Sequence, residues 1–537
     1  MMPEHAGPHN RLLWGTVGTN AVRRGGDMGE VAVEQAAAPL VLALDVGTSA
    51  VRAQVYDAQG RLVAGAEARA AVSARLTADG AAAVDADALV DTVAATLDAL
   101  AARAPAACGA VAGVGLATFW HTLVGVDPDG HARTPLLLWA DRRAAPAAAE
   151  LRERLDERAV HARTGCRLHA TYWPARLRWW ATTRPAVWRQ VARWLSFGDY
   201  LYARLFGEVR TSLSLASATG LLDQHTRAWD PALLAVLGLD PVRLPAIDDT
   251  PYRGLRAPYA TRWPGLARVP WWPAWGDGAC SNVGCGALGP ARRALMVGSS
   301  AALRVVWPAA EVAIPWAAWG YRLDARRVVL GGAFNDGGNL LAWWRATLGL
   351  ADGAEWLPAA LAAAVAAREP DSHGLTVLPL WGGERSPGWA TAARGAIVGL
   401  TFATGPADLW RATLEAIALR FAWLDDDLGP ALAAATGHDP GAVEIVATGG
   451  ALVRAPVWLQ IVADALGRPV VASAEGEASC RGAALLALEA LGAIAAVEQV
   501  PAARGPTYQP DAARHARYRV AMARQQALYR LLVANGR

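Results

Sequence analysis

Short apolar runs of strand length alternate along this chain with longer segments whose apolar residues recur at helical spacing. Val41 to Val46 is apolar apart from Asp45, Gly47-Thr48-Ser49 supplies small residues, and Val51 to Tyr56 alternates apolar with polar. That pattern predicts strand, tight turn, strand. Ala58-Gln59-Gly60 then turns the chain into a third strand, Leu62 to Ala66. Asp85 to Ala102 predicts an amphipathic helix. Val111 to Ala117 predicts a buried strand that delivers Thr118-Phe119-Trp120-His121 to its end, and a second apolar run ends at Asp141-Arg142-Arg143. Arg176 to Trp180 and Val191 to Phe206 predict helices. The irregular stretch Pro251 to Trp275 leads to Gly276-Asp277-Gly278, a glycine-flanked turn opening a helix.

The opening pattern then returns. Ala294 to Val306 again predicts strand, turn at Gly298-Ser299-Ser300, strand. This weak internal repeat predicts an α/β chain of two related domains facing one nucleotide. Further on, Leu375 to Trp381 predicts a strand and Asp408 to Leu424 an amphipathic helix. Val443 to Val446 predicts a strand leading into Thr448-Gly449-Gly450 and a helix from about Pro456 to Leu466. Ala512 to Leu532 predicts a last helix with a solvated arginine face. Residues 1–39 carry no period and are expected to be unstructured, with translation starting at Met28.

The hairpins suggest phosphate chemistry. Gly47 allows close backbone approach, and Thr48 and Ser49 can aim donors at phosphate oxygens. Asp45 has no obvious partner in the sequence and could hold Mg2+ through water. Only the first hairpin offers this carboxylate, since Met296 or Val297 stands in the second. A plain hairpin with a capping aspartate explains the stretch equally well. Likewise, His121 could be a satisfied core histidine, and Asp141-Arg142 a helix cap with a solvated charge.

Composition narrows the classes. The 537 residues allow two to four domains. Net charge is +3 without a basic block, so nucleic-acid binding is not expected. All 51 basic residues are arginine. A Walker A loop, a protein-kinase site and a Schiff-base enzyme each need lysine and are excluded. The five cysteines show neither metal-ligand nor disulfide spacing. The longest uncharged run, residues 104–126, contains proline, glycines and His121 and is a poor membrane span. With no signal-peptide pattern, a reducing cytoplasm is expected.

Taken in order, these motifs resemble the FGGY carbohydrate kinases of the actin-like (ribonuclease H-like) ATPase superfamily, from about Val41 to Ala496. Asp45-Val46-Gly47-Thr48-Ser49 and Gly298-Ser299-Ser300 resemble the two phosphate motifs, Gly276-Asp277-Gly278 the catalytic segment, and Thr448-Gly449-Gly450 the adenosine motif. Gly395-Ala396-Ile397-Val398-Gly399-Leu400 with Asp408-Leu409 and Ala412-Thr413-Leu414-Glu415 fits the C-terminal signature. The resemblance implies two actin-like domains around a central cleft. The first, 40–287, would bind sugar and carry the base; the second, 288–500, would bind nucleotide; residues 501–537 would form a tail and helix.

The resemblance further implies ATP and Mg2+ as cofactors and a small sugar or sugar acid as partner, with a homodimer as a compatible assembly. Asp277 would be the base and Asp45 the magnesium residue. Thr48, Ser49, Ser299, Gly338, Gly450 and Arg454 would bind nucleotide; Trp120, His121, Asp141 and Arg142 would bind substrate together with Asp277. Within the family the likeness is to gluconokinases, through Trp139-Ala140-Asp141-Arg142-Arg143, Leu380 to Pro387 and Glu477 to Gly482. Gluconate is therefore the expected acceptor, with a pentulose or other polyol as the alternative. The family's usual Met-His pair is Trp120-His121 here, its His-Pro segment is His169-Ala170, and a usual lysine falls at Arg176. An actin-like, chaperone-type ATPase shares the phosphate turns but needs no sugar pocket. A non-catalytic sugar sensor would not need Asp45 and Asp277 together.

Overall fold

A computed structural model describes residues 30–350 and 357–534; the expected start at Met28 lies outside them. The first sheet contains β1 (Glu30–Val31), β2 (Leu40–Val46), β3 (Ala50–Tyr56), β4 (Leu62–Ala71), β5 (Val111–Thr118) and β6 (Trp275–Gly276), in the order β1-β4-β3-β2-β5-β6. β2, β3 and β4 form an antiparallel meander, and β5 and β6 run parallel to β2. A parallel neighbour requires a crossover, and α1 (Ala86–Arg103) lies in the one between β4 and β5. Asp85 caps α1 by accepting the Ala88 N–H at 3.0 Å, and its apolar face, from Leu89 to Leu100, is buried.

The second sheet contains β7 (Arg292–Val297), β8 (Ala301–Pro308), β9 (Trp319–Arg322), β10 (Arg327–Phe334), β11 (Glu444–Thr448), β12 (Val470–Ser473) and β13 (Arg504–Tyr508). Their order is β9-β10-β8-β7-β11-β12-β13. The run β10-β8-β7-β11-β12 repeats β4-β3-β2-β5-β6 in order and direction. The two similar hairpins thus belong to two similar lobes, and the chain has the two-lobed actin-like ATPase fold.

α2 (Asp277–Gly284) precedes the second sheet. Against that sheet pack α3 (Gly338–Thr347), α4 (Pro406–Thr436), α5 (Pro456–Leu466) and, beyond α6 (Ala478–Ala490), the C-terminal helix α7 (Ala512–Tyr529). Unlike the other helices after β7, α6 buries Cys480, Ala483, Ala484 and Ala487 in the core of the first sheet. It crosses α2 at a separation only glycine permits. A Cβ on Gly482 would lie 1.8 Å from the Cys280 carbonyl oxygen, and one on Gly284 would lie 1.9 Å from that of Ala478.

Two expectations are corrected. Within the stretch expected to be unstructured, Glu30–Val31 form a strand, because Val31 pairs with Val63 and is buried beside it. Residues 193–195 form a strand against Val124–Val126 before a helix starts at Phe197. The C-terminal helix shows its expected solvated arginine face, with Arg514, Arg517, Arg519 and Arg524 exposed. β13 completes the second sheet, and Tyr518, Ala521 and Met522 of α7 enter its core.

Candidate active site

Val46, Thr118 and Gly276 are register partners in a row across β2, β5 and β6. The three strands are parallel, so Gly47-Thr48-Ser49, Trp120-His121 and Asp277 leave the sheet along one edge. Ligands of open α/β sheets bind at such carboxyl ends.

Asp277 is the first residue of α2, and its Oδ1 accepts the Gly278 N–H at 2.7 Å. Burial pushes its carboxyl up to about 6, against the nearby Arg304 guanidinium and that N–H. Asp45 is buried at the end of β2. Burial pushes it up to about 7; Arg52 opposes the shift, while the charges of Asp277 and Glu477 add to it. Asp45 does have a partner, which the sequence reading missed. Arg52 lies opposite it in the hairpin and reaches it at 3.2 Å, while its Nε lies 2.9 Å from Glu477, just before α6. A buried carboxylate with further carboxylates near it and one arginine against it, as at Asp45, is a donor that suits a divalent cation.

The nucleotide-type residues meet in the second lobe. Gly338 N–H donates to the Gly298 carbonyl at 2.8 Å and Asn339 N–H to that of Ser299 at 3.1 Å. Pairing of Met296 with Thr448 brings Gly449-Gly450 alongside. Gly449 has φ 87°, and a Cβ there would lie 2.3 Å from the Val297 carbonyl oxygen, so only glycine lets the two turns touch. Arg454 Nε donates to the Gly450 carbonyl at 2.8 Å. Ser49 and Ser299 are exposed at the tips of their hairpins, and Thr48 is half-buried.

Beside Asp277 lies an aromatic box built from both lobes. The Trp120 indole donates to the Ser214 carbonyl at 3.2 Å and packs edge-on against Tyr321, with centroids 5.1 Å apart. Tyr321 stacks on Trp319 at 4.2 Å, and its hydroxyl lies 2.6 Å from that of Tyr172. His121 has φ 69°, rare for a residue with a Cβ, and its Nδ1 bonds the Ala218 carbonyl at 2.8 Å. Burial pushes its pKa down to about 3. A neutral ring that donates through Nδ1 keeps Nε2 as an acceptor.

The remaining expected substrate residues divide. Arg142 is exposed, and its Nη1 comes within 3.5 Å of the Gly382 carbonyl of the second lobe. The Asp141 carboxylate is not presented to a ligand, because it accepts the Ala82 N–H at 3.1 Å and pairs with Arg143 at 2.7 Å. Tyr172, Tyr321, Arg52, Glu477 and Arg304 were not foreseen. The one available signal was that positions 45 and 52 are equidistant from the hairpin turn.

Among the described residues, no helix is long and apolar enough to cross a membrane. Residues 40–284 match the N-terminal domain, and residues 294–491 the C-terminal domain, of the FGGY family of carbohydrate kinases. The chain is 28% identical over 399 residues to a gluconokinase of Bacillus subtilis (strain 168), covering 72% of this chain and 76% of that one. It is 33% identical over 479 residues to a glycerol kinase of Aromatoleum aromaticum, covering 86% and 92%. A gluconate kinase structure from Lactobacillus acidophilus superposes with TM-score 0.83 at 26% identity, covering 92% of this chain and 98% of that one. A ligand-bound xylulose kinase from the same organism gives the same values. The chain belongs to the FGGY family of carbohydrate kinases, enzymes that transfer a phosphoryl group to a carbohydrate hydroxyl.

Proposed function

We propose that this kinase phosphorylates the terminal hydroxyl of a sugar acid, foremost gluconate, giving 6-phosphogluconate. The observation that carries the transfer is the placement of Asp277 along one strand edge with Asp45, the Thr48-Ser49 hairpin and the aromatic box. Gluconate as acceptor is supported by likeness to the B. subtilis gluconokinase and the L. acidophilus gluconate kinase. Arg142 at the cleft is a cation that can pair with a carboxylate.

Residues 40–287 act as the sugar and base domain and 288–500 as the nucleotide domain. Asp277 accepts the proton of the attacking hydroxyl. That oxygen bonds the γ-phosphorus of ATP as the bond to the β–γ bridging oxygen breaks, and ADP leaves. A positioned base contributes about 10²–10⁴-fold. Thr48, Ser49 and Ser299 donate to the phosphate oxygens. Gly338, Gly450 and Arg454 line the nucleotide. Trp120 supplies an apolar wall, His121 an acceptor for a sugar hydroxyl, and Asp141 holds the Arg142 loop through Arg143. Mg2+, held by Asp45 through water, would offset phosphate charge. Burial between the lobes excludes water that would otherwise hydrolyse ATP. ATP as donor suits action in the cytoplasm.

A pentulose is the second reading, favoured by the equal superposition of the xylulose kinase. A purely conformational ATPase needs no aromatic box and is set aside by membership of the family. Coupled ADP release over gluconate, xylulose, ribulose, glycerol and erythritol decides. Gluconate should give the highest kcat/KM; strong turnover of a neutral pentulose alone would overturn the assignment.

A further inference from the structure

Among the buried polar atoms of the described residues without a hydrogen-bond partner is Nη2 of Arg304, beside α2. Arg304 stands on β8 of the second lobe and is 4% exposed, yet its side chain works on the first lobe. Its Nε donates to Asn282 Oδ1 at 3.1 Å, and Asn282 Nδ2 donates back to the Arg304 carbonyl at 3.3 Å. Asn282 and Gly278 both belong to α2, the helix that Asp277 opens. A Cβ at Gly278 would lie 3.1 Å from Arg304 Nη1, so the guanidinium rests directly on the first turn. Arg304 and Asp277 form no ion pair in the described residues, so the arginine bears on that carboxylate through the helix turn it rests against. A buried charge with an unused donor is costly to fold. Such groups call for an explanation in the site they serve.

We propose that Arg304 is a positioning residue through which the second lobe braces the first turn of α2 and so aims the Asp277 carboxylate when the two lobes are together. The inference rests on Asp277 being the base. Its consequence is that the base becomes competent only when the nucleotide lobe sits against α2. An enzyme with its lobes apart would lack that support and would neither activate sugar nor waste ATP. The arginine acts through Asp277 and need not touch either substrate.

Arg304→Met and Arg304→Lys test this with the best acceptor from the screen. Four quantities are read: kcat, KM for ATP, ADP affinity by calorimetry, and the thermal midpoint. Arg304→Met should lower kcat about 10–100-fold while leaving KM for ATP and ADP affinity within about twofold, the signature of a contribution made in the transition state. Its thermal midpoint should fall by no more than the few degrees that loss of one buried hydrogen bond, that to Asn282 Oδ1, brings, and activity is read well below that midpoint. Arg304→Lys, which keeps the charge, should retain more of kcat than Arg304→Met. The inference is overturned if Arg304→Met keeps kcat within about twofold of the parent, if the two variants are equally impaired, or if the lost activity is accounted for by the fraction unfolded at the assay temperature. Normal turnover by Asp277→Asn would instead remove the base reading, and the inference with it.

Discussion

The Trp120 indole lies across Gly276 so closely that a Cβ added at position 276 would sit 1.9 Å from the ring. The glycine before Asp277 is therefore required by packing as much as by the turn. Gly276→Ala must push the indole away, breaking its bond to the Ser214 carbonyl and opening the aromatic box. A displacement of about 1 Å near reacting atoms can cost about 10²-fold. Gly276→Ala should lower kcat/KM for the sugar at least about tenfold, while ADP binding by calorimetry stays within about twofold of the parent. Unchanged sugar kinetics would show that Trp120 does not shape the acceptor site.

With Asp277 as the proposed base, its protonation should set the acid limb of activity. Its carboxyl is pushed up from 3.8 to about 6 by burial, so kcat/KM should fall about tenfold per unit below about pH 6. Asp45, raised to about 7 beside it, shares the site, and the measured limb belongs to the pair. Stability runs the other way. A carboxyl whose pKa rises on folding adds stability fully present below about pH 3.8 and lost as pH climbs through about 6. Asp277→Asn should therefore raise the thermal midpoint near pH 8 and leave it little changed near pH 4. A pH–rate profile flat down to about pH 4.5 would contradict the burial of the base.

The α2–α6 crossing should be among the least tolerant places in the chain. Gly482→Ala brings a Cβ within 1.8 Å of the Cys280 carbonyl, which belongs to backbone and cannot swing aside. Overpacking of this kind costs about 1–3 kcal/mol or more, or about 2–4 °C per kcal/mol for a lobe of this size. Calorimetric scanning should show a lower midpoint together with lower kcat, since α2 carries Asp277 and Glu477 directly precedes α6. An unaltered midpoint would mean that the helices can separate freely.

Much of this fold was legible because period and punctuation coincide. Val41 to Tyr56 has a strand period on both sides of a small-residue turn, and Pro456 to Leu466 is bounded by a proline and the left-handed Gly467. β6 was not legible. It is two residues long, and its identity comes from pairing with Ala117 and Thr118, not from its own pattern. Glu30–Val31 escaped for the same reason. In the site, the motif residues lie on the turns their glycines and small residues predicted, because such turns fix backbone locally. The residues that tune them were hidden by distance along the chain. Tyr172 and Tyr321 are 149 positions apart and meet only once both lobes are built. Arg304 reads as an ordinary strand residue until Gly278 and Asn282 are brought against it. Of the partners of Asp141, Arg143 and the Ala82 N–H, the second was hidden in the same way, lying 59 positions away.

The most direct test of the whole reading is the Asp277→Asn enzyme, followed by coupled ADP release with its acceptor and by calorimetric titration with ADP. Sugar-dependent turnover should fall by about 10²–10⁴-fold with ADP affinity retained. Turnover close to the parent's would show that the carboxylate at the head of α2 does not take the proton.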